Sequence, residues 1–225
     1  MKILAISDEV VPQLYNSNIE TRYADVDLVL SCGDLPPYYL EFIVTVLNVP
    51  LYYVKGNHDH EPRTCFENTG PMRSYGPAAI PGLGGCVNVD GRVVEHNGLL
   101  IAGLEGSMRY KPGPYQYTQN EMMHKVARLG PKLFLRRILK GRWVDILITH
   151  AAPFEIHDGK DHCHTGFRAF LGFMRRYKPQ YLIHGHSHVY DHRQPRTTRY
   201  GETTVANAHP YRIIEIDDPG SAGRR

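Results

Sequence analysis

Residues able to bind a divalent cation or move a proton recur in this chain, each time at the end of an apolar run. Asp8 closes the run Lys2–Ser7 and Asp34 follows Val26–Cys32 after Gly33. Asn57, His58 and Asp59 follow Leu51–Lys55 after Gly56, and His150 ends Val144–His150. His186 and His188 fall in the run that begins at Tyr181, just past Gly185. Taken singly, an Asp after a strand is a turn residue, and a lone His in a strand is a hydrogen-bonded core residue. Five runs delivering oxygen or nitrogen ligands to their carboxyl ends is a different matter, because ligands of α/β sheets collect at those ends. Carboxylate, amide and imidazole donors together suit Mn, Fe, Zn or Ni.

The elements that must position these residues read as alternating strands and helices, an α/β pattern. The runs from Lys2, Val26, Leu51, Val144 and Tyr181 are the buried strands. Tyr39–Leu47 has helical spacing, with Leu40, Ile43, Val44 and Leu47 on one face. Thr118 and Glu121 have capping-box spacing and open a helix running toward Leu129. Thr165–Tyr177 carries a stripe of Phe167, Phe170, Leu171 and Met174 and stops before Pro179. Arg92–His96 and Leu99–Gly103 flank Asn97-Gly98, the signal of a tight hairpin, so antiparallel pairing is mixed in. The stretches 60–92 and Gly106–Tyr117 read as loops. Neither a repeat nor a linker breaks the chain, which predicts one domain over 1–216 and a flexible tail over 217–225.

Composition narrows the class. With 225 residues, 42% hydrophobic and 22% charged, the chain is ordinary globular protein, not collagen, coiled coil or disorder. No apolar run approaches the ~18 residues that span a bilayer, and Asp8 and Glu9 interrupt the opening run too early for a signal peptide. The expectation is a cytoplasmic protein with no membrane partner. A formal net charge of +3 does not demand nucleic acid. The basic stretch 122–144 (Lys125, Arg128, Lys132, Arg136, Arg137, Lys140, Arg142) keeps that partner as the less favoured option. Cys32, Cys65, Cys86 and Cys163 form no CxxC and read as reduced thiols.

Gly33-Asp34, Gly56-Asn57-His58-Asp59, Thr149-His150 and Gly185-His186-Ser187-His188, in that order after Asp8, resemble the calcineurin-like binuclear metallophosphoesterase superfamily. The resemblance implies an α/β/β/α sandwich of two mixed β-sheets flanked by helices. It also implies a metal-dependent phosphoesterase, with a phosphodiesterase favoured. Two divalent ions, with Mn favoured, would be bridged by Asp34. One ion would take Asn57, His150 and His186, the other Asp8 and His188. In-line attack of a metal-bound hydroxide on a small phosphate ester would follow, with His58 as general acid and Asp59 orienting it. The alternatives are a phosphomonoesterase acting on a small metabolite or nucleotide, and a non-catalytic scaffold, since the fold also serves as a binding module. Oligomeric state is not read.

One motif departs. The family opens with Asp-x-His, and this chain reads Asp8-Glu9-Val10. Val10 ligates nothing, so the Asp8/His188 metal is weakly held, filled by water or completed from elsewhere. Glu9 points away if the strand pleat continues, and inward if a loop turns it. Arg109 in the Gly106–Tyr117 loop and His164, after His150, are candidate substrate contacts. His157, His162, Cys163 and His164 are too irregularly spaced for the usual structural zinc. Tyr38, Tyr39, Tyr110, Tyr115 and Tyr117 are read as loop-packing aromatics ahead of base-stacking ones.

Overall fold

The apolar runs are continuous rather than alternating because both faces of each strand are buried. In a computed structural model that describes residues 1–59, 85–190 and 195–216, they form two sheets packed face to face. The first sheet contains β1 (Lys2–Ile6), β2 (Leu28–Ser31), β3 (Leu51–Tyr53), β4 (Cys86–Asn88) and β13 (Tyr211–Glu215), in the order β13-β1-β2-β3-β4. Pairing is parallel except between β13 and β1. The second contains β5 (Val93–His96), β6 (Leu99–Leu104), β9 (Ile146–Thr149), β10 (Tyr181–His184), β11 (Thr197–Tyr200) and β12 (Thr203–Asn207). Its order is β11-β12-β10-β9-β6-β5, parallel at the centre and antiparallel at both edges.

Period-2 alternation sorts the side chains. Ile3, Ala5, Leu28, Leu30, Ile146, Ile148 and Ile183 meet between the sheets. Their neighbours Leu4, Ile6 and Val29 turn outward onto α1 (Ile19–Arg22) and α2 (Pro37–Leu47). On the far side Leu147, Leu182 and Val205 face α3 (Gln119–Lys140) and α4 (Arg168–Tyr177). The result is the expected α/β/β/α sandwich with three cores. Each Leu, Ile or Phe fully buried there contributes about 1.5–3 kcal/mol.

Local chemistry sets the boundaries. Asn97 and Gly98 take φ 45° and 83° in the β5–β6 turn, as a tight hairpin requires. The Thr118–Glu121 capping box forms at the start of α3. That helix does not stop near Leu129, however; it passes through Pro131 to Lys140 and ends at Gly141 with φ 73°. Leu129 and Leu133 straddle the proline and are both fully buried, so tertiary packing overrides one lost backbone hydrogen bond. The loop Gly106–Tyr117 contains two short paired strands, β7 (Ser107–Met108) and β8 (Gln116–Tyr117). The expected tail 217–225, Cys65 and most of the stretch 60–92 lie outside the described residues. Among the described residues no helix is long and apolar enough to cross a membrane.

Candidate metal centre

Parallel pairing of β1, β2 and β3 brings Asp8, Asp34 and Asn57 to one end of the first sheet. Parallel pairing of β9 and β10 brings His150 and His186 to the matching end of the second. The loops there are sharply bent. Asp8 has φ 66° and is spanned by a Glu9 N–H to Ser7 carbonyl hydrogen bond of 2.7 Å. His186 has φ 62° and is spanned by Ser187 N–H to Gly185 carbonyl, also 2.7 Å. Both are three-residue γ-turns with a positive central φ, a rare and strained form, and strain of this kind gathers at functional sites. Asp34 too is left-handed, at φ 57°. Two glycines make this approach possible. A Cβ on Gly185 would collide with Ser7 Oγ and come within 2.6 Å of Asp8 Oδ2, and one on Gly56 would collide with the Asp34 carboxylate.

His150 and His186 each have one ring nitrogen tied to a backbone carbonyl, which fixes the nitrogen available to a metal. His150 Nδ1–H donates to the Cys32 carbonyl at 2.7 Å, leaving Nε2 3.0 Å from Asn57 Oδ1 and 3.3 Å from Asp34 Oδ2. His186 Nε2–H donates to the Cys163 carbonyl at 2.9 Å, leaving Nδ1 free. Asp34, His150 and His186 each offer a donor atom within 4.8 Å of the others. His188 places Nδ1 3.3 Å from the Tyr190 hydroxyl and Nε2 3.5 Å from Asp8 Oδ1. Asp8 Oδ2 accepts from the His186 backbone N–H at 2.9 Å, while its buried Oδ1 makes no hydrogen bond.

The electrostatics are those of buried anions awaiting positive charge. Burial opposes charge on His150, yet the adjacent Asp34 carboxylate raises it to about 9. Burial likewise opposes ionisation of Asp34 and Asp8. The charge and hydrogen bond of His150 lower the first, and His188, His150, Ser7 and the His186 N–H hold the second well below the ordinary carboxylate range. His186 is pushed down to about 4 by burial and by its charged neighbour His150. The buried carboxylates thus favour positive charge at His150, an environment that suits a divalent cation.

The other predicted residues separate. Asp59 Oδ2 accepts the backbone N–H groups of Gly56 at 2.7 Å and Asp34 at 3.0 Å, locking two ligand loops together; burial raises its pKa. Those bonds serve the ligand loops rather than the His58 ring. His58 gives its backbone N–H to Asp34 Oδ1 at 2.8 Å and exposes its side chain at the rim. His164 lies against His186, ring centroids 4.8 Å apart, with Nδ1 2.8 Å from Asp161. Beside it a cavity of about 560 Å³ is lined by His157, Lys160, Asp161, His164, Ser187 and His188, among others. Arg109 is not brought to the ligands: its guanidinium grips Glu121 at 2.8 Å and the Gln116 carbonyl at 3.2 Å. Of the four residues of the His157–His164 segment, only Cys163 and His164 converge, their donor atoms lying within 4.8 Å of each other and of His186. His162 meets the Arg109 carbonyl, Cys163 and His164 meet His186, and His157 turns inward. Tyr39 is fully buried, and the Tyr117 hydroxyl donates to Glu105.

Sequence reasoning missed a histidine pair, His184 buried and His157 partly so. His157 Nδ1 lies 3.0 Å from His184 Nε2, and its own Nε2 lies 2.8 Å from Thr198 Oγ1, so β11 and β10 hold the loop that follows His150. It also missed Asn207, whose side chain donates to the Ser187 carbonyl at 2.7 Å and accepts from the His209 N–H at 2.9 Å. The His157–His184, His157–Thr198 and Asn207–Ser187 contacts join residues far apart in sequence, so no spacing reveals them.

The profile of the calcineurin-like phosphoesterases matches residues 1–190. The chain belongs to that family. No curated protein matches it. One solved structure, 14% identical, superposes at a TM-score of 0.62 over 95% of this chain and 94% of its own. TT1561 from Thermus thermophilus, also 14% identical, does so at 0.58 over 92% and 88%. Vps29 from Entamoeba histolytica, 14% identical, covers 97% and 87% at 0.43. At these identities the first two neighbours establish the fold alone. Calcineurin-like phosphoesterases usually bind divalent metals, and the residues of this chain fit such ions. The orphaned Asp8 Oδ1, the unused His186 Nδ1 and the hard oxygen and imidazole donors are what a divalent cation requires.

Proposed function

We propose that the protein is a metal-dependent phosphoesterase, most naturally a phosphodiesterase acting on a small phosphate ester. The observation that carries this reading is the ring-nitrogen accounting. His150 and His186 are each fixed by a backbone carbonyl; the nitrogen left on His150 meets Asn57 and Asp34, and His186 offers a donor atom within 4.8 Å of those of Asp34 and His150. Asp34, Asn57, His150 and His186 would hold one divalent ion, and Asp8 and His188, with Asp34, a second. Bound there, such ions supply a Lewis-acid clamp for phosphate oxygens and water made acidic near neutral pH.

The chain's own residues do the rest. Asp59 keeps the Asp34 and Gly56 loops in register, so the ligand atoms are held before substrate arrives. The cavity beside His164 and His188 seats the ester, with Lys160 available to its negative charge. His58, exposed at the rim, holds the proton that goes to the departing ester oxygen.

The test is hydrolysis of a chromogenic phosphodiester and the matching monoester by metal-stripped protein, with Mn, Zn, Ni, Fe and Mg restored in turn. The expected result is metal-dependent turnover, faster on the diester, that Asn57→Ala and His58→Ala each reduce at least about 100-fold. Folded protein that binds metal yet turns over neither ester would favour the scaffold reading, to which the gap at Val10 lends weight.

A further inference from the structure

Val10 leaves the Asp8/His188 side short of a ligand, and the structure shows where Val10 goes: it packs against the core beneath the first sheet, beside α1 and α2. Among the described residues, Asp8 and His188 do not join a third side-chain carboxylate, imidazole or thiolate within 4.8 Å of both. What the γ-turn at Asp8 does is reverse the pleat. A continuing strand would send Glu9 to the far face, but here its Oε2 lies 3.5 Å from His209 Nε2. The His209 ring stacks on that of His188, centroids 4.7 Å apart at 15°. His188 in turn directs Nε2 toward the unpartnered Asp8 Oδ1.

We infer that Glu9 is the missing ligand of the second metal, with His209 as the residue that positions its carboxylate. This rests on reading the site as a two-metal centre. His209 itself is not the ligand. Its Nδ1 accepts the Val189 backbone N–H at 3.3 Å, so in the neutral ring the proton sits on Nε2, the nitrogen facing Glu9. That Nε2 is buried and makes no hydrogen bond as the side chains stand, which marks it as a donor aimed at a carboxylate. A ligand carboxylate braced by an imidazole N–H is a familiar outer-shell arrangement. Glu9 is also free to move, its side chain being 54% exposed, whereas Val10 is bound into the core.

The experiment counts metals rather than turnover. Metal-stripped protein is titrated with Co(II), followed by visible absorption, and the bound metal is quantified after equilibrium dialysis. Wild type is expected to bind two equivalents. Glu9→Gln and Glu9→Ala should keep the first at unchanged affinity and bind the second about 10–100-fold more weakly. His209→Phe, which keeps the stacking but not the donor, should weaken the second less, and Val10→Ala should alter neither. Glu9 is exposed, so its variants should retain the wild-type melting temperature. Two equivalents at wild-type affinity in Glu9→Ala, or a single equivalent in wild type, would overturn the inference. No metal bound by wild type would instead overturn the metal-centre reading, a separate failure.

Discussion

His150 and His186 are buried and each gives its second ring nitrogen to a backbone carbonyl, whereas His188 is 44% exposed and leans on the hydroxyl of Tyr190, itself 74% exposed. The two halves of the centre therefore differ in preorganisation more than in ligand chemistry. The Cys32 carbonyl directly follows β2, and the Cys163 carbonyl sits in a turn held by the Asp158 and Asp161 carboxylates, so the first half keeps more of its geometry when empty. The second depends on side chains that solvent can dislodge. Binding that must also order its ligands is weaker by the cost of ordering them. The buried half should hold metal tightly and the Asp8/His188 half should exchange it.

Asp34 belongs to both halves, and losing it should have the largest effect. Asp34→Ala removes the shared carboxylate, so both metals should leave and turnover should fall by about 1,000-fold or more, the several kcal/mol that metal catalysis supplies. Metal content after dialysis together with initial rates reads this. Retention of two tight equivalents would mean that the halves share no ligand.

Next come the halves taken apart. His150→Ala should cost the tight equivalent, and His188→Ala only the weak one. Graded chelation of wild type should release metal in two steps, with dissociation constants at least about 10-fold apart. Coincident release would erase the distinction.

Asp59 supports the Gly56 loop and the loop of the shared Asp34. Asp59→Ala leaves the N–H groups of Gly56 and Asp34 without an acceptor, at about 1–3 kcal/mol for each such group. Urea unfolding of the metal-free protein should show a loss of about 2–6 kcal/mol, and Asp59→Asn, which retains an acceptor oxygen, much less. An Ala variant as stable as wild type would place the rigidity of those loops elsewhere.

The contrast between the halves also explains what the sequence could show. The five strand ends, the hairpin at Asn97-Gly98 and the Thr118–Glu121 cap are written in local residue types, and each appears where the pattern puts it. The candidate ligands of the first half were legible because each stands beside a glycine or at a strand end. The length of α3 was not, because Gly130-Pro131 is locally a stop signal and only the burial of Leu129 and Leu133 overrules it. Arg109 looked available in a loop because its partner Glu121 is twelve residues on and already accounted for as a capping residue. The ties to Cys32, Cys163 and Asn207 depend on sheet packing, which spacing does not encode. Glu9 was ambiguous for a definite reason: alternation would send it outward, and only the reversed backbone at Asp8 turns it toward His209.

The smallest expected effect concerns how the loop of the weaker half is anchored. The Val11 N–H donates to the Tyr39 hydroxyl at 3.4 Å, tying the segment after Glu9 to α2. Burial pushes the Tyr39 phenol up to about 12. Unfolded, the phenol ionises near its ordinary 10, so its contribution to stability is intact below about pH 10 and is lost as pH rises toward 12. Tyr39→Phe should cost about 0.5–1.5 kcal/mol at pH 7 through the lost acceptor, and should lose less stability than wild type between pH 10 and 12. Because the hydroxyl holds Val11 and not a ligand, the substitution should leave the first metal's affinity unchanged and loosen the second by no more than a few-fold. Equal weakening of both would mean that the two halves move as one body, and that the exposure of His188 has no bearing on how tightly its metal is held.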